Sequence, residues 1–190
     1  MAFTTLPTSA YSTLDATKLT GNLPAISGAS LTGIGGGITE YDQWRKTDTT
    51  QLVGNATTNL TSTFERNDTD FDKIGTGMSQ SSGVFTFPST GIYQIMFDAF
   101  FRADGGARPM IGAVIAVTTD NSSYSTRSFS YTSGYTNSAY ASALTIFTFD
   151  VTNTSTHKVQ FRARHGDTTN IQGSSNNNYT SFTFTRIGDT

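Results

Sequence analysis

Residues 83–101, GVFTFPSTGIYQIMFDAFF, constrain the fold more than any other part of the chain. The turn Pro88-Ser89-Thr90-Gly91 separates two apolar, aromatic runs, and the second run is apolar on nearly both faces. Side chains alternate along a strand. Tyr93, Ile95, Phe97, Ala99 and Phe101 therefore share one face, while Ile92, Met96 and Phe100 share the other. A sheet covered on one side shows polar residues on its open side. This strand needs cover on both, and in a chain of 190 residues the second cover is expected from another copy of the chain. Residues 139–151 repeat the pattern, with Leu144 and Ile146 on one side and Phe147, Phe149 and Val151 on the other. Ile92, Met96, Phe100, Leu144 and Ile146 are thus the expected subunit interface. The alternative is that an adjacent loop of the same chain covers them.

From Glu40 onward, extended segments follow one another with turn signals between them. Strands are expected over 41–46, 61–66, 83–87, 91–103, 110–118 and 139–151, with a weaker polar one within 124–131. Residues 157–165 alternate cleanly: Val159, Phe161 and Ala163 inward, Lys158, Gln160, Arg162 and Arg164 outward. A last strand over 179–187 places Phe182 and Phe184 on one face and can pair with the first to hide an edge. Eight or more short strands without a helical stretch predict an all-β sandwich or barrel. The domain spans residues 40–190.

Residues 1–39 differ in kind. Leu19-Thr20-Gly21 recurs as Leu31-Thr32-Gly33, and Gly35-Gly36-Gly37 reads as a flexible joint. Leu19, Leu23, Ile26, Leu31 and Ile34 are too sparse for a core in one copy. Three copies wound together could bury them, which makes this an extended attachment and trimerisation segment; the alternative is a disordered tail.

Charged residues make up 14% of the chain and the net charge is -2, so no phosphate-tracking surface is expected. Without cysteine there are no disulfides or thiolate metal sites. The first residues lack the basic start and apolar core of a secretory signal, and no window is long and apolar enough for membrane insertion as a helix.

Catalysis finds little support. His157 and His165 are eight residues apart on one strand pattern, about 27 Å at 3.4 Å per residue, too far to share a metal. No nucleophile elbow, zinc motif or phosphate loop is present. Neither catalytic residues, cofactor nor metal are expected. Asp68, Asp70 and Asp72 alternate as calcium-binding loop residues can, but the Gly and distal Glu of such a loop are missing, and a turn with Asx hydrogen bonds is the better account. The Asn-x-Thr/Ser triplets are expected in a chain so rich in Asn and Thr. The best recognition candidates are Tyr124, Phe129, Tyr131, Tyr135 and Tyr140, set among Ser, Thr, Asn and Gly. Rigid rings among small polar residues suit binding loops and stacked sugars; the alternative is that these rings pack into the sandwich or a subunit seam.

The strand-turn-strand GVFTFPSTGIYQIMFDAF, the later FDVTNTSTHKVQFRA and the closing YTSFTFTRIGDT resemble the jelly-roll of the complement-head and tumour-necrosis-factor family. That resemblance implies a ten-stranded sandwich assembling as a tight homotrimer around an apolar axis. YDQWRKT, FERNDTDFDKIGTGMSQSSGVFTFPSTGIY and TDNSSYST, with DATKLTGNLPAISGASLTGIG, also resemble structural proteins of marine tailed bacteriophages, especially those infecting cyanobacteria. This second likeness implies a virion component made in the host cytoplasm, which fits the missing signal. Taken with the two-faced strands and the tyrosine-rich stretch, the expectation is a trimeric knob held to capsid or tail proteins through residues 1–39, with a host-surface glycan as its ligand. The rival is a capsid-decorating or tail-cementing protein with no host ligand.

Overall fold

The computed structural model describes residues 37–68 and 71–190, and every element among them is a β-strand. β1 (Tyr41–Lys46), β2 (Thr50–Leu52), β3 (Ala56–Asn59), β4 (Phe64–Arg66), β5 (Lys73–Ile74), β6 (Ser79–Ser81) and β7 (Val84–Thr86) occupy the first half. The longer β8 (Gly91–Ala103), β9 (Arg108–Thr118), β10 (Ser125–Gly134), β11 (Tyr140–Val151) and β12 (Lys158–His165) follow, then β13 (Thr169–Ile171) and β14 (Ser181–Gly188).

They form two antiparallel sheets. In the eight-stranded sheet A, β8 is central. It pairs with β11 from Gly91 to Arg102 on one side. On the other side it pairs with β14 along Ile92–Asp98 and with β13 along Phe101–Ala103. β14 in turn pairs with β1, so the closing strand covers the first as expected. Sheet B runs β10-β9-β12-β7-β6, with β3 beside β12. The fold is therefore an all-β, two-sheet jelly-roll sandwich.

The core lies between the sheets and is largely aromatic. Phe97, Phe182 and Phe184 from sheet A meet Phe85 and Phe161 from sheet B, all fully or almost fully buried. Phe161 lies 4.4 Å from Phe182 and 5.1 Å from Phe97, and Phe97 stacks on Phe182 at 5.0 Å. Such offset and edge contacts contribute beyond the area they bury. The alternation expected for β8 and β12 is present: Tyr93, Ile95, Phe97, Ala99 and Phe101 face the core, as do Val159, Phe161 and Ala163.

Several boundaries differ from the sequence expectation. The strand expected over 61–66 begins only at Phe64, because Thr63 takes a left-handed φ of 62° that breaks the extended run. β9 starts at Arg108 rather than residue 110, and β10 runs to Gly134 through two register shifts. β2, β3, β5, β6 and β13 went unseen in the sequence. β6 and β7 form a two-residue hairpin at Ser82-Gly83, both at positive φ (50° and 79°), the geometry that twisted hairpins require.

Candidate functional site

β8 and β11 leave an apolar surface on the outer face of sheet A. Leu144 pairs with Asp98, Ile146 with Met96, and Ser142 with Phe100. Leu144 and Ile146 remain 49% and 48% exposed, while Ile92, Met96 and Phe100 are half-buried. Phe100 stacks on Tyr140 at 5.4 Å and meets Tyr179 at 5.6 Å. These three rings and Gln172 line an open depression of about 300 Å³. All five expected interface residues therefore share one face, with Tyr140 and Tyr179 beside them.

Asp98 sits in the middle of this face, between Leu144 on β11 and Ser181 on β14. Its Oδ1 is shut off from solvent without a hydrogen-bond partner. Burial pushes its carboxyl above the usual range. At the opposite edge of sheet A, Ile38, Tyr41, Phe71 and Ile74 form a second apolar patch around a depression of about 420 Å³. Tyr41 and Phe71 meet edge to face at 5.3 Å. Between the two patches the outer positions of β14 and β1 are polar, with Thr183 opposite Gln43. The second patch was not foreseen, because Phe71 and Ile74 lie on a loop and a two-residue strand whose neighbours are distant in sequence.

Sheet B presents a different outer face. Phe129 lies opposite Val114 and Tyr131 opposite Gly112. On the other side of β9, Arg162 lies opposite Val114 and Arg164 opposite Gly112. The rows continue onto β3 as Asn59 and Thr57. Phe129 and Tyr131 are 58% and 51% exposed, with ring centroids 5.0 Å apart. Gly112 permits this arrangement: a Cβ there would lie 2.4 Å from Tyr131 Cδ1 and 2.3 Å from the Ser130 carbonyl oxygen. A glycine thus lets the Tyr131 ring lie down against the sheet.

None of the six strands of sheet B contains Asp or Glu, yet they carry Arg108, Arg127, Lys158, Arg162 and Arg164. Arg108 donates to the carbonyls of Thr168, Ala107 and Asp104, and Lys158 Nζ donates to the Thr154 carbonyl. Arg164 donates to the carbonyls of Ala56 and His165 and to Asn55 Oδ1. Those partners are all neutral. Among the described residues the salt bridges involve Arg45, Arg66, Lys73 and Arg186, and none involves a cation of sheet B. Arg162 Nε is buried without a hydrogen-bond partner.

The five aromatic candidates do not converge. Phe129 and Tyr131 share the outer face of sheet B, and Tyr124 is half-buried just before β10. Tyr124's hydroxyl is pushed above its ordinary range by burial and by the charge of Asp120. Tyr135 is exposed between β10 and β11, and Tyr140 belongs to the outer face of sheet A. The histidines have structural partners. His157 stacks on Phe149 and bonds Thr152 and Thr156; His165, fully buried, bonds the Gly54 carbonyl and Thr58. Asp68 lies 3.8 Å from Arg45 and Asp72 lies 3.0 Å from Lys73, while Asp70 is outside the described residues. The anchoring candidates Leu19, Leu23, Ile26, Leu31 and Ile34 also lie outside them.

Asp42 and Lys46 are among the buried charges that went unnoticed in the sequence. Asp42 accepts hydrogen bonds from Trp44 Nε1 (2.8 Å), Arg66 Nε (2.8 Å) and the Met78 amide (2.6 Å). Lys46 is 2% exposed, donates to Thr63 Oγ1 and the Ser62 carbonyl, and sits 5.7 Å from the Phe64 ring centre. Burial lowers its pKa to about 8, with Asp48 opposing the shift. The alternation of YDQWRK, which puts Asp42, Trp44 and Lys46 on one face, was the available signal.

No family model matches the sequence, and no curated protein matches it. Solved structures do. The Eiger tumour necrosis factor of S. frugiperda superposes with a TM-score of 0.58 at 10% identity, over 79% of this chain and 93% of that one. Murine APRIL gives 0.56 at 13% identity, over 78% and 98%. The PRD1 vertex protein P5 gives 0.51 at 16% identity, over 80% and 100%. At these identities the likeness establishes the fold, a tumour-necrosis-factor-like jelly-roll.

Proposed function

We propose that this chain is a phage virion structural protein that assembles as a homotrimer through the outer face of sheet A. In this reading residues 1–39 attach it to capsid or tail proteins, and the jelly-roll forms a knob that adheres to host-surface glycans. The observation that carries the assembly is the pair of apolar patches at opposite edges of one sheet face. A closed ring of identical subunits needs a head-to-tail contact between two different patches of the same chain. Tyr140, Leu144, Ile146, Met96 and Phe100 at one edge, and Ile38, Tyr41, Phe71 and Ile74 at the other, meet that requirement. Exposed apolar groupings of this kind mark interaction surfaces.

The virion assignment draws on the sequence likeness to phage appendage proteins and on the appearance of this fold in the PRD1 vertex protein P5. Binding rather than catalysis is supported by the histidines, both of which are held by neighbouring hydroxyls, rings or carbonyls.

Native mass spectrometry of the whole chain and of residues 37–190 tests the assembly. A trimer in both is expected, and a monomer in both refutes it. Deleting residues 1–34 should leave a soluble trimer that no longer joins particles; retained incorporation removes the anchoring role. The capsid-decorating rival predicts the same trimer with no attachment to cells.

A further inference from the structure

We propose that the outer face of sheet B is an acidic-glycan site: sugar rings rest on Phe129 and Tyr131, and their carboxylate or sulfate groups meet Arg162 and Arg127. The inference rests on the adhesion reading above and adds the location and the ligand class.

Three features of this face converge. The first is charge. All the acidic residues lie outside the strands of sheet B, which hold five of the chain's 12 lysines and arginines. The strands of sheet A carry six others, but with Asp42, Glu65, Asp98 and Asp150 among them, so it is the carboxylates that are segregated, away from sheet B. None of the five has a carboxylate partner among the described residues. An unneutralised face attracts anions, and planar guanidinium groups match carboxylate and sulfate oxygens in pairs.

The second feature is the aromatic pair. Phe129 and Tyr131 point the same way from an edge strand, and more than half of each is exposed. Gly112 seats Tyr131 low on the sheet, so the rings flank the β9 surface rather than project from it. Ring faces of this kind accept the C–H faces of sugars, while guanidinium groups nearby take the charge.

The third feature is Arg162 itself. It stands in the same cross-strand row as Phe129, with Val114 between them and Asn59 beyond. Its Nε is closed to solvent and unbonded, so the chain itself leaves this cation's hydrogen-bonding capacity incomplete. Arg127, at the register shift on the same edge strand as the rings, is exposed. Asn59 and Thr57 supply neutral donors and acceptors for sugar hydroxyls. A single-stranded nucleic acid also uses rings and cations, but it needs a basic groove that tracks many phosphates. One exposed and one half-buried guanidinium group, with no carboxylate on the strands around them, suit a polymer with spaced charges better.

The test uses the full-length protein and three probes: oligogalacturonate, its methyl-esterified neutral counterpart of the same length, and an oligo-dT of similar charge. Oligogalacturonate should bind, weaken with added salt, and lose roughly tenfold or more on Arg162→Gln or Phe129→Ala. Both side chains lie on the solvent side of the sheet, and unchanged melting temperatures will show that the variants fold. Tyr140→Ala, on the other sheet, should leave binding intact. Equal affinity for the esterified probe, tighter binding of oligo-dT, or indifference to Arg162→Gln would each overturn the acidic-glycan site. A broad glycan array separates the two levels. Neutral glycans bound independently of sheet B would sink this site but keep adhesion; no glycan bound at all would sink both.

Discussion

Lys46 gives the sharpest thermodynamic test of the fold. Its ammonium group is buried beside Phe64, and burial holds its pKa near 8 against the ordinary 10.5. In the unfolded chain the same lysine titrates near its ordinary value. Between pH 8 and 10.5 the unfolded state therefore binds more protons than the native state, and stability must rise with pH through that window. Below pH 8 both states are charged, and the native state bears the full cost of burying the charge. With one pKa unit equal to 1.36 kcal/mol, the gain from pH 7 to pH 10 works out at about 2.5 kcal/mol. For a domain of this size that corresponds to roughly 5–10 °C in melting temperature. Lys46→Met removes this titration and keeps the side chain's length. The assay is urea unfolding of both proteins from pH 7 to 10, taking the difference between the two stability curves so that other groups cancel. The curves should converge as pH rises, by about the amount above. Parallel curves would refute the buried, depressed lysine, and divergence would reverse its sign.

Three further substitutions probe the surfaces and the buried polar hub. Asp42→Ala leaves Arg66, Trp44 Nε1 and the Met78 amide without their shared acceptor, and should cost about 3–5 kcal/mol in chemical denaturation. Gly112→Ala drives a methyl group into Tyr131 and the Ser130 carbonyl; a loss of about 1–3 kcal/mol is expected, again by denaturant titration. Asp98 has its carboxyl pushed up by burial, so the native state holds its proton to higher pH than the unfolded chain and stability falls as pH rises through that interval. Asp98→Asn should therefore raise the melting temperature at pH 7 and leave it nearly unchanged at acid pH.

The parts of this architecture that were legible from sequence are those set by alternation over long strands. β8 and β12 expose their two faces in the primary structure, and Ile92, Met96, Phe100, Leu144 and Ile146 do lie on one surface. Alternation says which face a residue shares but not which strand lies beside it. Phe129 and Tyr140 sit on different sheets because β10 and β11 part company at the turn between them. The short strands β2, β3, β6 and β13 are polar and three or four residues long. They exist through pairing with partners far away, Ala56–Asn59 with Arg162–His165 for example, and no local window contains that signal. The depletion of carboxylates from sheet B was equally hidden, since its six strands are scattered from residue 56 to 165.

The two proposed surfaces are on opposite faces of the sandwich, and that separation makes their coupling testable. If sister chains cover the outer face of sheet A, the outer face of sheet B stays open in each subunit, and one trimer presents three copies. Linked weak sites gain about 10²–10⁴ in apparent affinity for a polyvalent surface without any new contact. Leu144→Asp should remove this gain without touching the site. It places a carboxylate directly opposite Asp98, where like charges on paired strands repel by about 0.2–1 kcal/mol. Burying the new charge in a subunit contact costs several kcal/mol more, repeated at each contact of the ring. The variant should therefore be a folded monomer that binds a short oligogalacturonate as the parent does but adheres to a dense acidic-glycan surface at least about 100-fold more weakly. Surface plasmon resonance at low and high ligand density reads both quantities at once. A monomer with undiminished adhesion would detach binding from assembly, and a trimer that survives Leu144→Asp would move the subunit contact off sheet A altogether.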